Sequence, residues 1–323
     1  MERVSLTRRN CLRLGLAAAV AAAGLGRVAW AADPAAFGAL DLDWVDAARQ
    51  RPVPVRLYLP EMHVPLPLVV FSHGIGGTRR GYSWLGQHFA RHGVASLHLQ
   101  HVGSDRALWS GNVFGIVGRL QDAARDDEAI ARARDLRFAL DTLLAGELAA
   151  RIDPRRIVAA GHSYGANTTL LASGARVSRG GQSIDLLDAR VRAAIVISAP
   201  PFYGDADPRP ILAPVAVPSL HVTATEDVIR IPGYYSGAED RVKVFEATGG
   251  PRKWLAVYEG GSHSMFTDRR DSGGAVLNPQ VKTATQALVL AFLRGVFEGD
   301  DAGLAAWPQQ HAALLARFSE VRG

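Results

Sequence analysis

Cysteine is almost absent from this sequence. Cys11 is the only one among 323 residues, and it stands before an apolar run near the N-terminus. If that N-terminal segment is removed, the mature protein has neither a disulfide bond nor a thiol nucleophile. With 48% apolar and 21% charged residues, we expect the chain to be stabilised by one sizeable hydrophobic core.

Long hydrophobic runs are also missing. The apolar run at residues 14–25 is shorter than the roughly 20 residues that a transmembrane helix needs. It follows Arg8-Arg9 and precedes Ala29-Trp30-Ala31, which is the order of a cleavable twin-arginine signal. We therefore predict a signal peptide at residues 1–31, export by the twin-arginine (Tat) machinery, and a periplasmic or secreted mature protein with no stable membrane insertion.

A strong excess of charge is lacking once this signal is set aside. Residues 1–31 hold five arginines against one glutamate, so their removal lowers the formal net charge from +5 to +1. Such a balance gives no reason to expect nucleic acid as a partner. The ten histidines show no H-E-x-x-H or similar ligand spacing, so we predict neither a metal nor a cofactor.

Short β-branched runs alternate with helical patterns from about residue 40 onward. This order predicts an α/β protein with a mostly parallel central sheet and helices on both faces, as one domain over residues 32–323. The predicted strands cover residues 52–59, 68–71, 94–99, 156–160, 193–198, 219–225 and 254–259. The predicted helices cover residues 82–91, 122–150, 164–174 and 281–297, with an accessory helix in the last twenty residues.

Three stretches fit no regular element: residues 103–120, 178–187 and 229–250. Loops at the carboxyl ends of parallel strands shape the ligand crevice of an open sheet. These stretches are therefore candidate substrate walls, although they could equally be surface insertions. In the first of them, Trp109 and Phe114 favour a role in a substrate pocket.

The segment Gly161-His162-Ser163-Tyr164-Gly165 fits the pattern G-x-S-x-G. This pentapeptide can arise by chance, but here a buried strand pattern precedes it and a helical pattern follows. Glycines on both sides allow the sharp strand-to-helix turn that exposes a nucleophilic serine. We predict that Ser163 is the nucleophile.

A serine hydroxyl needs a base and an acid to act as a nucleophile. Where the serine lies at such a strand-to-helix turn, the acid follows it in the chain and the histidine follows the acid. His263 lies on a glycine-rich loop after a strand, whereas His221 lies inside an apolar strand and is expected in the core. Asp227 ends the strand before it and is the predicted acid. Its neighbour Glu226 remains the alternative.

An oxyanion formed at the substrate carbonyl needs backbone N–H donors. The residue after the nucleophile is Tyr164, and a glycine-rich turn after the strand at residues 68–71 contains Ile75. We predict that these two amides form the oxyanion hole. His73 and His162 are expected to brace the turn and the serine rather than to react.

Several of these segments together resemble the dienelactone-hydrolase-like and platelet-activating-factor acetylhydrolase-like bacterial branch of the α/β-hydrolases. The likeness covers roughly residues 45–270 and lies in residues 53–60, 71–77, 100–105, 161–165 and 225–227. It implies the α/β-hydrolase fold and hydrolytic activity. It does not carry over a substrate, because Ser163 replaces the cysteine of true dienelactone hydrolases and Ser198-Ala199-Pro200 lacks the carboxylate that the acetylhydrolases place there.

The sequence thus predicts a serine esterase that cleaves a small-molecule or lipid-like carboxylic ester, with a short acyl chain expected because no amphipathic lid helix is evident. Two alternatives stay open. The same acyl-enzyme could serve an acyltransferase, or the chain could be a non-catalytic binding protein on a hydrolase scaffold.

Overall fold

A nine-stranded sheet forms the centre of the protein in the computed structural model, which describes residues 34–231, 233–268 and 274–322. The predicted signal peptide lies outside these residues. In chain order, the described strands are β1 (Phe37–Asp46), β2 (Arg51–Pro60), β3 (Leu66–Ser72), β4 (Ala95–Leu99), β5 (Ile152–His162), β6 (Arg176–Arg179), β7 (Gln182–Asp185), β8 (Val191–Ile197), β9 (Ser219–Glu226), β10 (Ile229–Ile231), β11 (Tyr234–Ser236), β12 (Arg252–Ser262) and β13 (Leu315–Arg322).

The strand order across the sheet is β1-β2-β4-β3-β5-β8-β9-β12-β13. The six strands from β4 to β12 run parallel, whereas β1, β2 and β13 are antiparallel to their neighbours. Strand β3 is buried along its whole length, as expected for a parallel strand covered on both faces. The predicted α/β class with a mostly parallel sheet is confirmed.

Helices cover both faces of this sheet. They are α1 (Ser83–Arg91), α2 (Ile116–Ala123), α3 (Asp126–Ala145), α4 (Tyr164–Ala172), α5 (Arg209–Leu212), α6 (Ala238–Ala247), α7 (Leu277–Glu298) and α8 (Ala302–Gln310). Alternate residues of each strand serve opposite faces. In β3, for example, Val69 and Phe71 pack with α1 and α7, and Leu68 and Val70 pack with α3.

The three stretches predicted to be irregular contain regular elements. Residues 178–187 form most of the β6–β7 hairpin, in which Gly180 and Gly181 both have positive φ. Such a two-residue glycine turn matches the twist of a hairpin, and the Gly-Gly pair is a signal that the prediction overlooked. Residues 229–250 hold the β10–β11 hairpin and α6, and residues 103–120 hold two 3₁₀ turns and the start of α2.

The two ends of the sheet also differ from the prediction. The prediction of an accessory helix over the last twenty residues is wrong in its second half. Helix α8 ends at Gln310, and β13 then pairs antiparallel with β12. Phe318 of β13 packs on Trp307, with ring centroids 5.5 Å apart. At the other end, the sequence does not indicate β1, because this edge strand has no fully buried residue and lacks an apolar run.

Candidate active site

The turn at Ser163 joins the carboxyl end of β5 to the first residue of α4. Ser163 has φ 56° and ψ −125°, a conformation that a residue with a side chain adopts only under strain. The flanking glycines make the turn possible. A Cβ atom on Gly165 would lie 1.9 Å from the Ser72 carbonyl oxygen, and one on Gly161 would lie 2.1 Å from the Gly165 carbonyl oxygen. The G-x-S-x-G spacing is therefore imposed by close backbone packing.

Three side chains from the ends of three strands form one chain of hydrogen bonds. The Ser163 hydroxyl donates to Nε2 of His263 at 2.8 Å, and Nδ1–H of His263 donates to Oδ1 of Asp227 at 2.6 Å. Ser163 follows β5, Asp227 follows β9 and His263 follows β12. This is the geometry that a nucleophile, its base and an orienting acid require.

Between the two candidate acids, the structure brings Asp227 to the histidine. Asp227 is fully buried, whereas Glu226 at the end of β9 is exposed. Thr223 also donates a hydrogen bond to Oδ2 of Asp227 at 2.7 Å. Both oxygen atoms of the Asp227 carboxylate are thus held, which fixes the plane in which the imidazole lies.

Charge keeps Asp227 ionised despite its burial. Burial alone would raise its pKa, but His263 and then Arg241 outweigh that effect and hold the pKa of Asp227 well below its usual range. Nε of Arg241 lies 3.4 Å from Oδ1 of Asp227, and both side chains are buried. A permanently ionised carboxylate at this place can stabilise a protonated imidazole.

The predicted oxyanion turn lies directly over the serine. A Cβ atom on Gly74 would be 3.1 Å from Cβ of Ser163. Within the turn, the N–H groups of Gly76 and Gly77 donate to Ser104 and Gly74 carbonyl oxygens. In the described part of the chain, the N–H groups of Ile75 and Tyr164 donate to no protein acceptor, which leaves them available for an oxyanion.

His162 and Tyr82 connect the turn with the loop that carries His263. The Gly74 N–H donates to the Tyr82 hydroxyl at 3.3 Å, which donates to Nδ1 of His162 at 2.8 Å. Nε2–H of His162 then donates to the His263 carbonyl oxygen at 2.9 Å. Burial lowers the pKa of His162 to about 3, so this ring is neutral and serves to hold both loops in place.

His73 braces the same turn from within. Its Nδ1–H donates to the Gly74 carbonyl oxygen at 2.7 Å, and its Nε2 accepts from the His101 N–H at 3.1 Å. Burial holds the pKa of His73 well below its usual range. The structure therefore places His73 as a neutral buttress away from the reacting hydroxyl.

A cavity of about 520 Å³ opens onto Ser163, Tyr164 and Ile75. Its walls are mainly apolar or aromatic and include Leu120, Leu171, Phe202, Ile229, Ile231 and Tyr234. Charged side chains also line it, among them Arg179, which is paired with Asp126 at 3.0 Å. Each of the three stretches proposed as substrate walls contributes to this lining.

Trp109 and Phe114 do not line this cavity, so their predicted pocket role requires correction. Phe114 is 91% exposed. Trp109 packs on the outside of the oxyanion turn, where its Nε1–H donates to the Gly76 carbonyl oxygen at 2.9 Å. Gly76 has φ 71°, and a Cβ atom there would lie 2.4 Å from Trp109. Trp109 thus supports the turn from outside this cavity.

Sequence reasoning missed the wall formed by Phe202 and Tyr203, and two buried arginines beside the site, Arg132 and Arg241. The first has a signal, because Phe202 and Tyr203 follow the carboxyl end of β8, where ligand-binding loops are expected. The arginines have none. Each lies on a helix whose alternating charges resemble those of an ordinary solvated helix.

The described residues contain no group of three His, Cys, Asp or Glu side chains arranged to hold a metal ion. Within the same ranges, no helix combines the length and apolar character needed to cross a membrane.

A mostly parallel sheet, with a strained serine between a strand and a helix at its carboxyl edge, defines an α/β-hydrolase. A model of the Alpha/beta hydrolase family matches residues 69–323. The chain therefore belongs to this family, and hydrolase-type chemistry is the expected activity. A search of curated proteins finds no match.

Proposed function

We propose that the protein hydrolyses a carboxylic ester through an acyl-enzyme on Ser163. The observation that carries this proposal is the hydrogen-bond chain from Ser163 through His263 to Asp227, which opens onto the cavity beside two amides with no protein acceptor. The more specific likeness to the dienelactone-hydrolase-like and acetylhydrolase-like branch stays a prediction.

In this mechanism, Ser163 Oγ attacks the ester carbonyl carbon while its proton passes to Nε2 of His263. The carbonyl electron pair moves to the oxygen, which the amides of Ile75 and Tyr164 hold. Collapse of this intermediate breaks the bond to the alcohol oxygen, which takes the proton from His263. Water then attacks the acyl-enzyme with the same base, and the carboxylic acid leaves.

Replacement of the nucleophile is the direct test. Ser163→Ala should abolish hydrolysis of p-nitrophenyl butyrate and labelling by a fluorophosphonate. Ser183→Ala, an exposed position in β7, is the matched control and should keep both. Turnover retained by pure Ser163→Ala protein would remove Ser163 from the mechanism, and failure of the natural chain to be labelled would favour a non-catalytic binding protein.

The length of the acyl chain is a further part of the proposal. The sequence predicts a short chain, yet a cavity of about 520 Å³ lies within the range of pockets that hold drug-sized ligands. Esters from acetate to dodecanoate measure this directly. A rate maximum at acetate or butyrate supports the short-chain prediction, and a maximum at longer chains shows that the apolar walls are used.

We also propose that the protein is exported by the Tat pathway and acts in the periplasm or outside the cell. Support comes from Arg8-Arg9 before the apolar run at residues 14–25. Replacing both arginines by lysine should leave the precursor in the cytoplasm, as measured by cell fractionation. Unchanged export of that variant would contradict the proposal.

A further inference from the structure

Arg132 of α3 is a fully buried cation next to the proposed oxyanion hole. Burial lowers its pKa to about 10, so the guanidinium remains charged at neutral pH. All three of its nitrogen atoms donate hydrogen bonds, to the Thr168 hydroxyl, the Ser104 hydroxyl and the His73 carbonyl oxygen. A rigid guanidinium that donates from each of its nitrogen atoms fixes the groups around it.

Two of these contacts reach the turn that carries Ile75. One nitrogen atom binds the carbonyl oxygen of His73, just before the turn. Another binds the Ser104 hydroxyl at 2.7 Å, while the Ser104 carbonyl oxygen accepts the N–H of Gly76 at 2.8 Å. Arg132 thus holds the turn at both ends and leaves the Ile75 amide between them without a protein acceptor.

The other contacts reach the second donor. The Arg132 guanidinium lies 4.5 Å from the centre of the Tyr164 ring. Its Nε donates to Thr168 at 3.0 Å, and the Thr168 hydroxyl donates to the Tyr164 carbonyl oxygen at 3.2 Å. The first turn of α4, which presents the Tyr164 amide, is therefore tied to the same side chain as the turn with Ile75.

The surroundings of Arg132 are unusual for a buried cation. No carboxylate of the described chain forms an ion pair with it, and the Ser104 hydroxyl stands between it and Glu128, to which that hydroxyl donates at 2.7 Å. Arg51 instead takes the direct contacts with Glu128 and Asp135. A buried charge that served stability alone would be expected to pair with a carboxylate.

We propose that Arg132 is a positioning residue of the oxyanion hole, which sets the Ile75 and Tyr164 amides at one geometry by binding both segments. This inference rests on the proposed ester hydrolysis. It assigns Arg132 no contact with substrate. Its loss should therefore weaken binding of the tetrahedral state and leave binding of the planar ester nearly unchanged.

The test compares Arg132→Gln and Arg132→Lys with Arg51→Gln, a control in the same charge cluster that touches neither donor segment. In the Arg132 variants we expect kcat for p-nitrophenyl butyrate to fall about 10²-fold, comparable to the loss of one oxyanion donor, with KM within about threefold. Affinity for butylboronic acid, which forms a tetrahedral adduct on the serine, should fall by a similar factor. Arg51→Gln should keep kcat within about twofold even where its melting temperature drops.

Thr168→Val provides a second route should Arg132→Gln fail to fold. It removes the hydroxyl between Arg132 and Tyr164 in a nearly isosteric way, and we expect kcat to fall roughly 10-fold with an equal loss of boronate affinity. Unchanged kcat in folded Arg132 or Thr168 variants would overturn the inference, as would full activity of Arg132→Lys, which keeps charge without the fork. Absence of wild-type turnover on every ester would instead overturn the proposed function.

Discussion

Two buried guanidinium groups lie beside the candidate site, and they are held differently. Arg132, on the oxyanion side, donates from all three nitrogen atoms to neutral acceptors. Arg241, on the side of the acid, donates from Nη1 to the Gly237 carbonyl oxygen at 3.1 Å, while its Nε and Nη2 have no hydrogen-bond partner in the described chain. Arg132 is held by three hydrogen bonds, and Arg241 by one hydrogen bond and an ion pair with a carboxylate.

This difference suggests that Arg132 and Arg241 have different roles. A guanidinium held by three hydrogen bonds transmits geometry, because moving it breaks several of them at once. A cation with one hydrogen bond, whose Nε lies 3.4 Å from Asp227, acts chiefly through its charge, which is effective at low local dielectric constant. We therefore expect variants on the oxyanion side to change kcat at every pH, and variants at Arg241 to change the pH dependence.

The largest effect on the acid side should come from Asp227 itself. Asp227→Asn removes the charge that stabilises a protonated His263, and we expect kcat to fall about 10⁴-fold, as it does when a triad acid is replaced by its amide. This exceeds the loss expected at Arg132. The measurement is steady-state hydrolysis of p-nitrophenyl butyrate at neutral pH.

Glu226→Gln is the control for that variant, because Glu226 is the adjacent and exposed carboxylate. It should retain the natural kcat. Equal losses in the two variants, or a loss confined to Glu226→Gln, would show that the acid has been assigned to the wrong residue.

An intermediate effect is expected from Arg241→Gln. The positive charge of Arg241 contributes to the low pKa of Asp227 and offsets part of the negative charge of that carboxylate. Without it, the acid limb of the kcat/KM profile should move upward by roughly half a pH unit. A shift of that size lowers kcat/KM by up to about threefold at pH values on the acid limb, whereas the alkaline plateau should be nearly unchanged.

The control for this shift is Arg190→Gln, which removes a cation paired with Asp188 and Asp141. Its profile should match that of the natural protein. If Arg241→Gln lowered kcat equally at all pH values, Arg241 would also act by positioning, and the proposed difference between the two guanidinium groups would be wrong.

Much of the fold and the site could be predicted from the sequence because it depends on local patterns. Continuous apolar strands, the glycines around Ser163 and the loop position of His263 each follow from a few neighbouring residues. The placement of Arg132 could not be predicted, since its burial requires β3, α3 and α4 to be assembled first. Phe114 was wrongly expected in the pocket, because the sequence of a loop does not indicate whether an aromatic side chain faces a pocket or the solvent.

The edge elements were hard to predict for a similar reason. β13 lies beside β12 through long-range pairing, and its sequence has too few apolar residues to separate a strand from a helix. The β6–β7 hairpin, by contrast, carries a local signal, because the Gly180-Gly181 pair is typical of a two-residue hairpin turn.

The smallest predicted effect concerns the hydrogen bonds that link the oxyanion turn to the loop that carries His263. The Tyr82 hydroxyl joins the Gly74 amide of the oxyanion turn to His162, which in turn holds the His263 loop. Tyr82→Phe leaves a buried acceptor on His162 unpaired, which typically costs about 1–3 kcal/mol of stability. We expect a lower melting temperature in a thermal unfolding scan and a fall in kcat of roughly threefold to tenfold, because both loops lose one support while the Arg132 contacts of the turn and the Asp227 contact of His263 remain. A loss as large as that of Arg132→Gln would mean that the two sides are set by one shared network, so that Arg132 and Arg241 do not act separately.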